Sequence, residues 1–308
     1  MTTDAAVPAG PQRPKVRPEL ARPRTLGVFD GALSYFELVY AQLPGFRPMV
    51  LDLHVPQRES GQAVPVVVYA HGGGFVGGAR TMGPWAFLLE AGYAVASVDY
   101  RLAGECSFPG PVQDVAAAVR WVRAHASQYG LDAGRVAGFG SSAGGYLMNA
   151  VALTGDDHPG MTGDLGPTPE LSCQLDAVID HYAPVDFLKL DEDAGPNAPG
   201  SAVGPESPLT RFLGFVPGEQ PEDADRANLC RYAKASSPPF LIAHGDADTV
   251  VGFGQSRRLH EALTMAGAHS ELIVVAGADH GAPEFDQAEL HKQTLAFLDS
   301  VADLSPRA

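Results

Sequence analysis

Ser142 lies in Gly140-Ser141-Ser142-Ala143-Gly144, a G-x-S-x-G frame. Arg135 to Phe139 before it reads as a short buried strand, and Gly145 to Leu153 after it as a buried helix. A serine on a tight strand-to-helix turn has its hydroxyl pushed out above the end of a sheet. Small neighbours are needed because the chain folds back on itself there. With 35 glycines in the chain the frame alone carries little weight. The strand before it and the helix after it give it more. The chemistry it points to is nucleophilic attack. A serine hydroxyl does this only with a base to take its proton, a carboxylate to orient the base, and donors for the oxyanion that forms. Ser141, beside the candidate nucleophile, is a candidate substrate contact.

Candidate donors follow Val64 to Ala70, a run rich in β-branched residues that reads as a buried parallel strand. It leads into His71-Gly72-Gly73-Gly74-Phe75-Val76. Consecutive glycines let a backbone approach a ligand and turn its amides inward. Preorganised amides aimed at developing charge are a large catalytic term. The amides of Gly73, Gly74 and Ala143 are the candidates. A phosphate-binding turn is the competing reading. It is disfavoured, because no G-x-G-x-x-G opens a helix here and no Lys-Ser/Thr pair follows the glycines.

The candidate base comes late. Pro239 to Ala243 reads as a strand and runs into His244-Gly245-Asp246-Ala247-Asp248. Glu271 to Val275 reads as the last strand, followed by Ala276-Gly277-Ala278-Asp279-His280-Gly281. In open α/β sheets, site groups gather beyond the carboxyl ends of the strands. His280 is therefore the candidate base, and Asp246 and Asp248 compete for the orienting role. His71 and His244 precede these turns and are read as holding loops by hydrogen bonds to backbone. His181 ends a strand, where loop packing outweighs a substrate contact. His54, His125, His158, His260, His269 and His291 have no constellation around them and are read as surface or structural. Arg101 follows a strand and is read as bracing neighbouring loops.

The elements that must position these groups alternate. Leu38 to Tyr40 and Met49 to Val55 read as early strands with an antiparallel start. A helix over 83–91, a strand at Tyr93 to Val98, a helix over Val112 to Ala126, and a strand at Ala177 to Tyr182 follow. Leu259 to Ala266 and Ala288 to Val301 supply the last helices. Alternation of this kind predicts an α/β fold, with a mostly parallel sheet covered on both faces. Residues 185–237 break the alternation. They are rich in Gly, Pro and acid, and a long insertion between strands is usually functional or disordered. Asp191-Glu192-Asp193 there lacks an EF-hand frame, so it is read as a solvated loop rather than a calcium site.

The chain resembles serine esterases of the α/β-hydrolase superfamily. His71-Gly72-Gly73-Gly74-Phe75 and Asp99-Tyr100-Arg101-Leu102-Ala103 are similar to the hormone-sensitive-lipase-like bacterial esterases. Phe108-Pro109, Asp114, Ala117, Ala118 and Trp121-Val122 continue that similarity. The last third departs from it, having no Asp-Pro-Leu acid turn. His244-Gly245-Asp246-Ala247-Asp248, Gln255-Ser256 and Asp279-His280-Gly281 resemble the bacterial feruloyl/acetyl-xylan esterases instead. Ser141 stands where many relatives have Asp. The resemblance covers about residues 45–300, with its motifs in the chain order Ser–Asp–His. It implies an α/β-hydrolase fold, Asp248 rather than Asp246 as the acid, and the insertion as part of a lid. The function it implies is hydrolysis of a carboxylic ester through a covalent acyl-enzyme. No metal or organic cofactor is expected.

Domain organisation follows. Residues 1–30, with five prolines and scattered Arg and Lys, are expected to form a disordered tail. Residues 31–308 are expected to form one α/β-hydrolase domain, its insertion at about 185–237. A net charge of −15 disfavours nucleic acid and anionic membrane surfaces as partners. Cys106, Cys173 and Cys230 are widely spaced and odd in number, and no signal-peptide core or membrane span is visible. A cytoplasmic protein is expected; the oligomeric state stays open, a homo-oligomer included. Small soluble esters with short acyl groups are the expected substrates, with Phe75, Val76, Phe212 and Phe215 as candidate pocket walls. Two other classes share these features: an amide or formamide hydrolase, or an acyl-transferring or cyclising enzyme, on the same triad; and a non-catalytic small-molecule receptor. Receptors of that kind typically lose a triad member, and this chain keeps all three.

Overall fold

Val64 to Ala70 shows why the sheet forms as it does. All seven residues of this strand are buried. Val66, Val68 and Ala70 enter one apolar cluster, and Val67 and Tyr69 enter another. Successive side chains of a strand point to opposite faces, so a continuous apolar run is what a strand covered on both faces requires.

The computed structural model describes residues 24–26, 28–58, 62–195, 200–301 and 304–306. Its strands are β1 (Arg24–Leu26), β2 (Ala32–Ala41), β3 (Met49–Pro56), β4 (Val64–Ala70), β5 (Ala94–Val98), β6 (Leu131–Ser141), β7 (Ala177–His181), β8 (Phe240–Gly245) and β9 (Ser270–Val275). They form one sheet in the order β1-β2-β3-β5-β4-β6-β7-β8-β9. β1, β2, β3 and β5 pair antiparallel. Every pair from β5–β4 to β8–β9 is parallel.

The helices are α1 (Ala86–Glu90), α2 (Gly110–Tyr129), α3 (Ala143–Thr154), α4 (Pro159–Thr162), α5 (Leu190–Asp193), α6 (Pro208–Leu213), α7 (Pro221–Asp225), α8 (Gly254–Ala266) and α9 (Ala288–Ser300). Helices α2, α3 and α8 pack on one face through residues such as Val115, Leu147 and Leu259. Helices α1 and α9 cover the other through Leu88, Leu89, Phe297 and Leu298. The expected mostly parallel, doubly covered sheet is present.

Two expectations need adjusting. Part of the segment read as a tail is structured: Arg24–Leu26 pairs with Ser34 to Phe36 as the edge strand. Residues 1–23 and 27 of that segment lie outside the described residues. Asp191-Glu192-Asp193, read as a solvated loop, belongs to α5, and Asp193 pairs with Arg258 at 2.6 Å; the insertion after β7 also carries α6 and α7, and residues 196–199 lie outside the described part.

Candidate active site

Five connections at the carboxyl ends of the parallel strands carry the site: those after β4, β6, β7, β8 and β9. Ser142 follows β6 directly, at φ 54° and ψ −120°, and α3 begins at the next residue. Its amide donates to the His181 carbonyl of neighbouring β7 at 2.8 Å. A side chain at positive φ is strained, and such residues cluster at functional sites. Among the described residues, the non-glycine positions at positive φ besides Glu37 are Phe75, Ser142 and Tyr182, one after each of β4, β6 and β7. The G-x-S-x-G glycines have a steric reason. A Cβ on Gly144 would stand 2.0 Å from the Ala70 carbonyl oxygen, and one on Gly140 would stand 2.3 Å from that of Gly144.

The structure brings Ser142, His280 and Asp248 together. His280 Nε2 lies 2.9 Å from Ser142 Oγ, and His280 Nδ1 lies 2.7 Å from Asp248 Oδ2. Asp248 Oδ1 accepts from the amides of Val250 and Val251, each at 2.8 Å. Burial of Asp248 works against its charge, but hydrogen bonds from His244, His280 and the Val251 amide hold its carboxyl well below the usual range. Asp246 does not reach His280; it is exposed and accepts the Gly277 amide at 2.6 Å. The Tyr182 ring packs edge-on to His280 with centroids 4.7 Å apart. Nothing in the spacing of Tyr182 marks it beforehand, because the contact joins two loops distant in sequence.

The glycine loop closes the other side. Gly73 adopts φ 124°, and its carbonyl accepts from the amides of Val76 and Gly77 at 3.1 Å. A Cβ on Gly72 would stand 3.3 Å from Ser142 Cβ, so the loop runs against the serine. The Ala143 amide, first in α3, has no intrahelical acceptor. His71 anchors the loop as expected, through Nδ1 to the Gly72 carbonyl at 2.7 Å. Arg101 braces as expected too, gripping Asp114 at 2.7–2.9 Å and the Gly110 carbonyl at 3.2 Å.

A cavity of about 290 Å³ opens on Ser142. Gly74, Phe75 and Ala143 line its floor. Leu190, Ala202, Pro208 and Leu209 of the insertion, with Val250 and Val251 of the acid turn, supply apolar walls. Only Phe75 of the expected aromatic walls lines it. Phe212 is fully buried and stacks on Phe75 at 3.9 Å, with Tyr146 and Phe108 around it. It fastens α6 to the body. Phe215 packs against the same core, and Val76 is 42% exposed. Ser141 points away from the cavity: it is buried, its Oγ accepting from Tyr69 at 3.3 Å. Phe212→Ala should therefore cost about 3–5 kcal/mol of stability, read as a lowered denaturant midpoint. An unchanged midpoint with an altered acyl preference would return Phe212 to the cavity wall.

His181 ends β7, 2% exposed, its ring 4.7 Å from Phe139 and 5.5 Å from Phe285. Neither ring nitrogen has a hydrogen-bond partner among the described residues. Burial, helped by nearby His291, pushes its pKa down to about 3. The unfolded chain takes up this proton near pH ~6.5 and the folded chain only near the lowered value, so acid favours the unfolded state. Between pH 7 and pH 5 this one residue should cost about 2 kcal/mol. Thermal melts of His181→Leu should fall less steeply with pH across that window than those of the parent. Parallel curves would assign the acid sensitivity elsewhere.

Comparison with known proteins adds an independent line. A family model described as BD-FAE matches residues 51–263. The chain is 38% identical over 288 residues to Carboxylesterase NlhH of Mycobacterium tuberculosis, covering 88% of this chain and 78% of the relative. It is 30% identical over 273 residues to Esterase LipC of the same organism. That match covers 84% of this chain, which spans 64% of the length of LipC. Among solved structures, a truncated carbohydrate esterase from gut microbiota superposes with a TM-score of 0.78 at 28% identity, over 88% of this chain and 96% of the other.

Proposed function

The chain has the α/β-hydrolase fold and belongs to the BD-FAE family, and from that premise we propose that it is a serine hydrolase of small carboxylic esters. The observation that carries the proposal is the unbroken run of short contacts from Ser142 through His280 to Asp248, 2.9 Å and then 2.7 Å. His280 accepts the hydroxyl proton as Ser142 attacks the acyl carbon. Asp248 holds the ring with Nδ1 protonated, which leaves Nε2 free to act as base. The amides of Gly73, Gly74 and Ala143 receive the oxyanion. His280 then returns its proton to the leaving alcohol. Water, activated by the same imidazole, cleaves the acyl-enzyme.

The cavity supports short acyl groups. Its 290 Å³ falls at the low end of small-molecule sites, about 300–1,000 Å³. Its walls are mostly apolar, with Ser201 and Thr249 among them, and carry no charged side chain among the described residues. No described helix is long and apolar enough to cross a membrane, and a net charge of −15 opposes adsorption to anionic interfaces. The test is a series of acetyl, butyryl, octanoyl and palmitoyl esters of one alcohol. kcat/KM should peak at acetyl or butyryl and fall steadily beyond. A palmitoyl optimum with a rate jump above the micellar threshold would make the insertion a lipase lid. No turnover of any ester, with turnover of the matching amides, would move the activity to amide hydrolysis.

A further inference from the structure

Asp248 is held by more than its bond to His280, and this inference rests on the proposed roles of those two residues. Its Oδ1 takes two backbone amides, and its Oδ2 takes His280 Nδ1. A second imidazole stands at Oδ2: His244 Nε2, 3.2 Å away. His244 is the next-to-last residue of β8 and is fully buried. Its Nε2 is 2.8 Å from the Val251 carbonyl, and its Nδ1 is 2.7 Å from Ser256 Oγ. Carbonyl and carboxylate oxygens only accept, so Nε2 must carry the proton, bonded to Val251 at 2.8 Å with Asp248 Oδ2 beside it at 3.2 Å. In the neutral ring Nδ1 is then the acceptor, and the Ser256 hydroxyl donates to it. Ser256, in the first turn of α8, is fully buried as well. The run Ser256–His244–Asp248–His280–Ser142 is thus continuous from a helix on the flank of the sheet to the candidate nucleophile.

We propose that His244 is a positioning residue, which fixes the orientation of the Asp248 carboxylate and limits how strongly Oδ2 draws on His280. A carboxylate with a second donor at the same oxygen is a weaker acceptor for the first. Removing that donor should therefore strengthen the pull of Oδ2 on the His280 proton. The other groups facing this run are Asp180 on β7, Tyr182 after it, and Asp279 beside His280. Asp180 is held by the Asn149 amide and Ala183 N–H. The Tyr182 ring lies between His280 and His244, at 4.7 and 6.5 Å. The exposed Asp279 accepts from the Thr249 and His280 amides. None of these reaches Oδ2 among the described hydrogen bonds, and the group that stands beside it is His244 Nε2, at 3.2 Å, with its shorter bond to the Val251 carbonyl at 2.8 Å.

The experiment is an NMR titration of ring-labelled histidines, following His280 in the parent, His244→Met, His244→Gln and Ser256→Ala, beside pH profiles of kcat/KM. His244→Met removes the donor at similar volume. It should raise the His280 midpoint by roughly half a pH unit, move the acid limb of activity the same way, and lower kcat about tenfold with KM little changed. His244→Gln keeps an N–H donor and should stay near the parent. Ser256→Ala leaves the ring a weaker donor and should shift the midpoint upward by less. A folded His244→Met with an unchanged or lowered midpoint overturns the proposal. So does an equal shift in His244→Gln, which would reflect packing alone. Should His244→Met not fold, an unchanged midpoint in Ser256→Ala decides against it. The NMR midpoint needs no turnover, so a parent that hydrolyses no ester would sink the proposed function without disguising this result.

Discussion

Ser142→Ala is expected to lower ester turnover about 10⁶-fold while leaving the fold intact. The substitution removes one oxygen whose partner is His280 Nε2. It keeps the backbone bond from residue 142 to the His181 carbonyl. The strained φ of 54° is set by the turn and not by the hydroxyl, so alanine inherits the same strain. Ser141→Ala should behave differently. Its hydroxyl is buried against Tyr69, and its loss should touch stability more than rate. An organophosphonate probe separates the two serines: peptide mapping should find the adduct on Ser142. An adduct on Ser141, or full turnover by Ser142→Ala, would remove the nucleophile assignment and the mechanism built on it.

The second large effect separates two carboxylates two residues apart. Asp248→Asn should cost about 10⁴ in kcat, the scale seen when a serine protease loses the charge of its orienting acid. An amide in that place can donate as well as accept, so it no longer fixes which ring nitrogen of His280 carries the proton. The buried carboxylate is also held deprotonated by its donors, so the charge is present across the working pH range. Asp246→Asn should change kcat by less than about tenfold, because Asp246 is exposed and its hydrogen bond among the described residues is to the Gly277 amide. Both variants would be compared at equal folded fraction. The opposite ranking would transfer the orienting role to Asp246 and require the acid turn to rearrange on binding substrate.

Much of this protein is legible in its sequence because the signals are local. The β-branched run at Val64 to Ala70 specifies a buried strand by itself. The glycines around Ser142 are demanded by backbone contacts within a few residues and one neighbouring strand, and the order of strands and helices places Ser142, Asp248 and His280 beyond the carboxyl ends of the parallel strands. The edge strand at Arg24–Leu26 escapes such reading, because three residues are too few to show a period. The cavity escapes it for a different reason. Leu209 and Phe212 lie in one helix of six residues, too short to show which side faces the core. Phe212 turned inward because Phe75 offers a ring to stack on, and Leu209 was left to line the cavity. His244 carries the same lesson. Its sequence position marks a strand end before an acid turn, but which oxygen its proton faces depends on β8, the turn and α8 meeting in three dimensions. Local sequence determined where reactive groups could stand, since strand, turn and glycine preferences are short-range. Only the packed fold decided which atoms meet and which side chains wall the cavity, since those contacts join segments far apart in the chain.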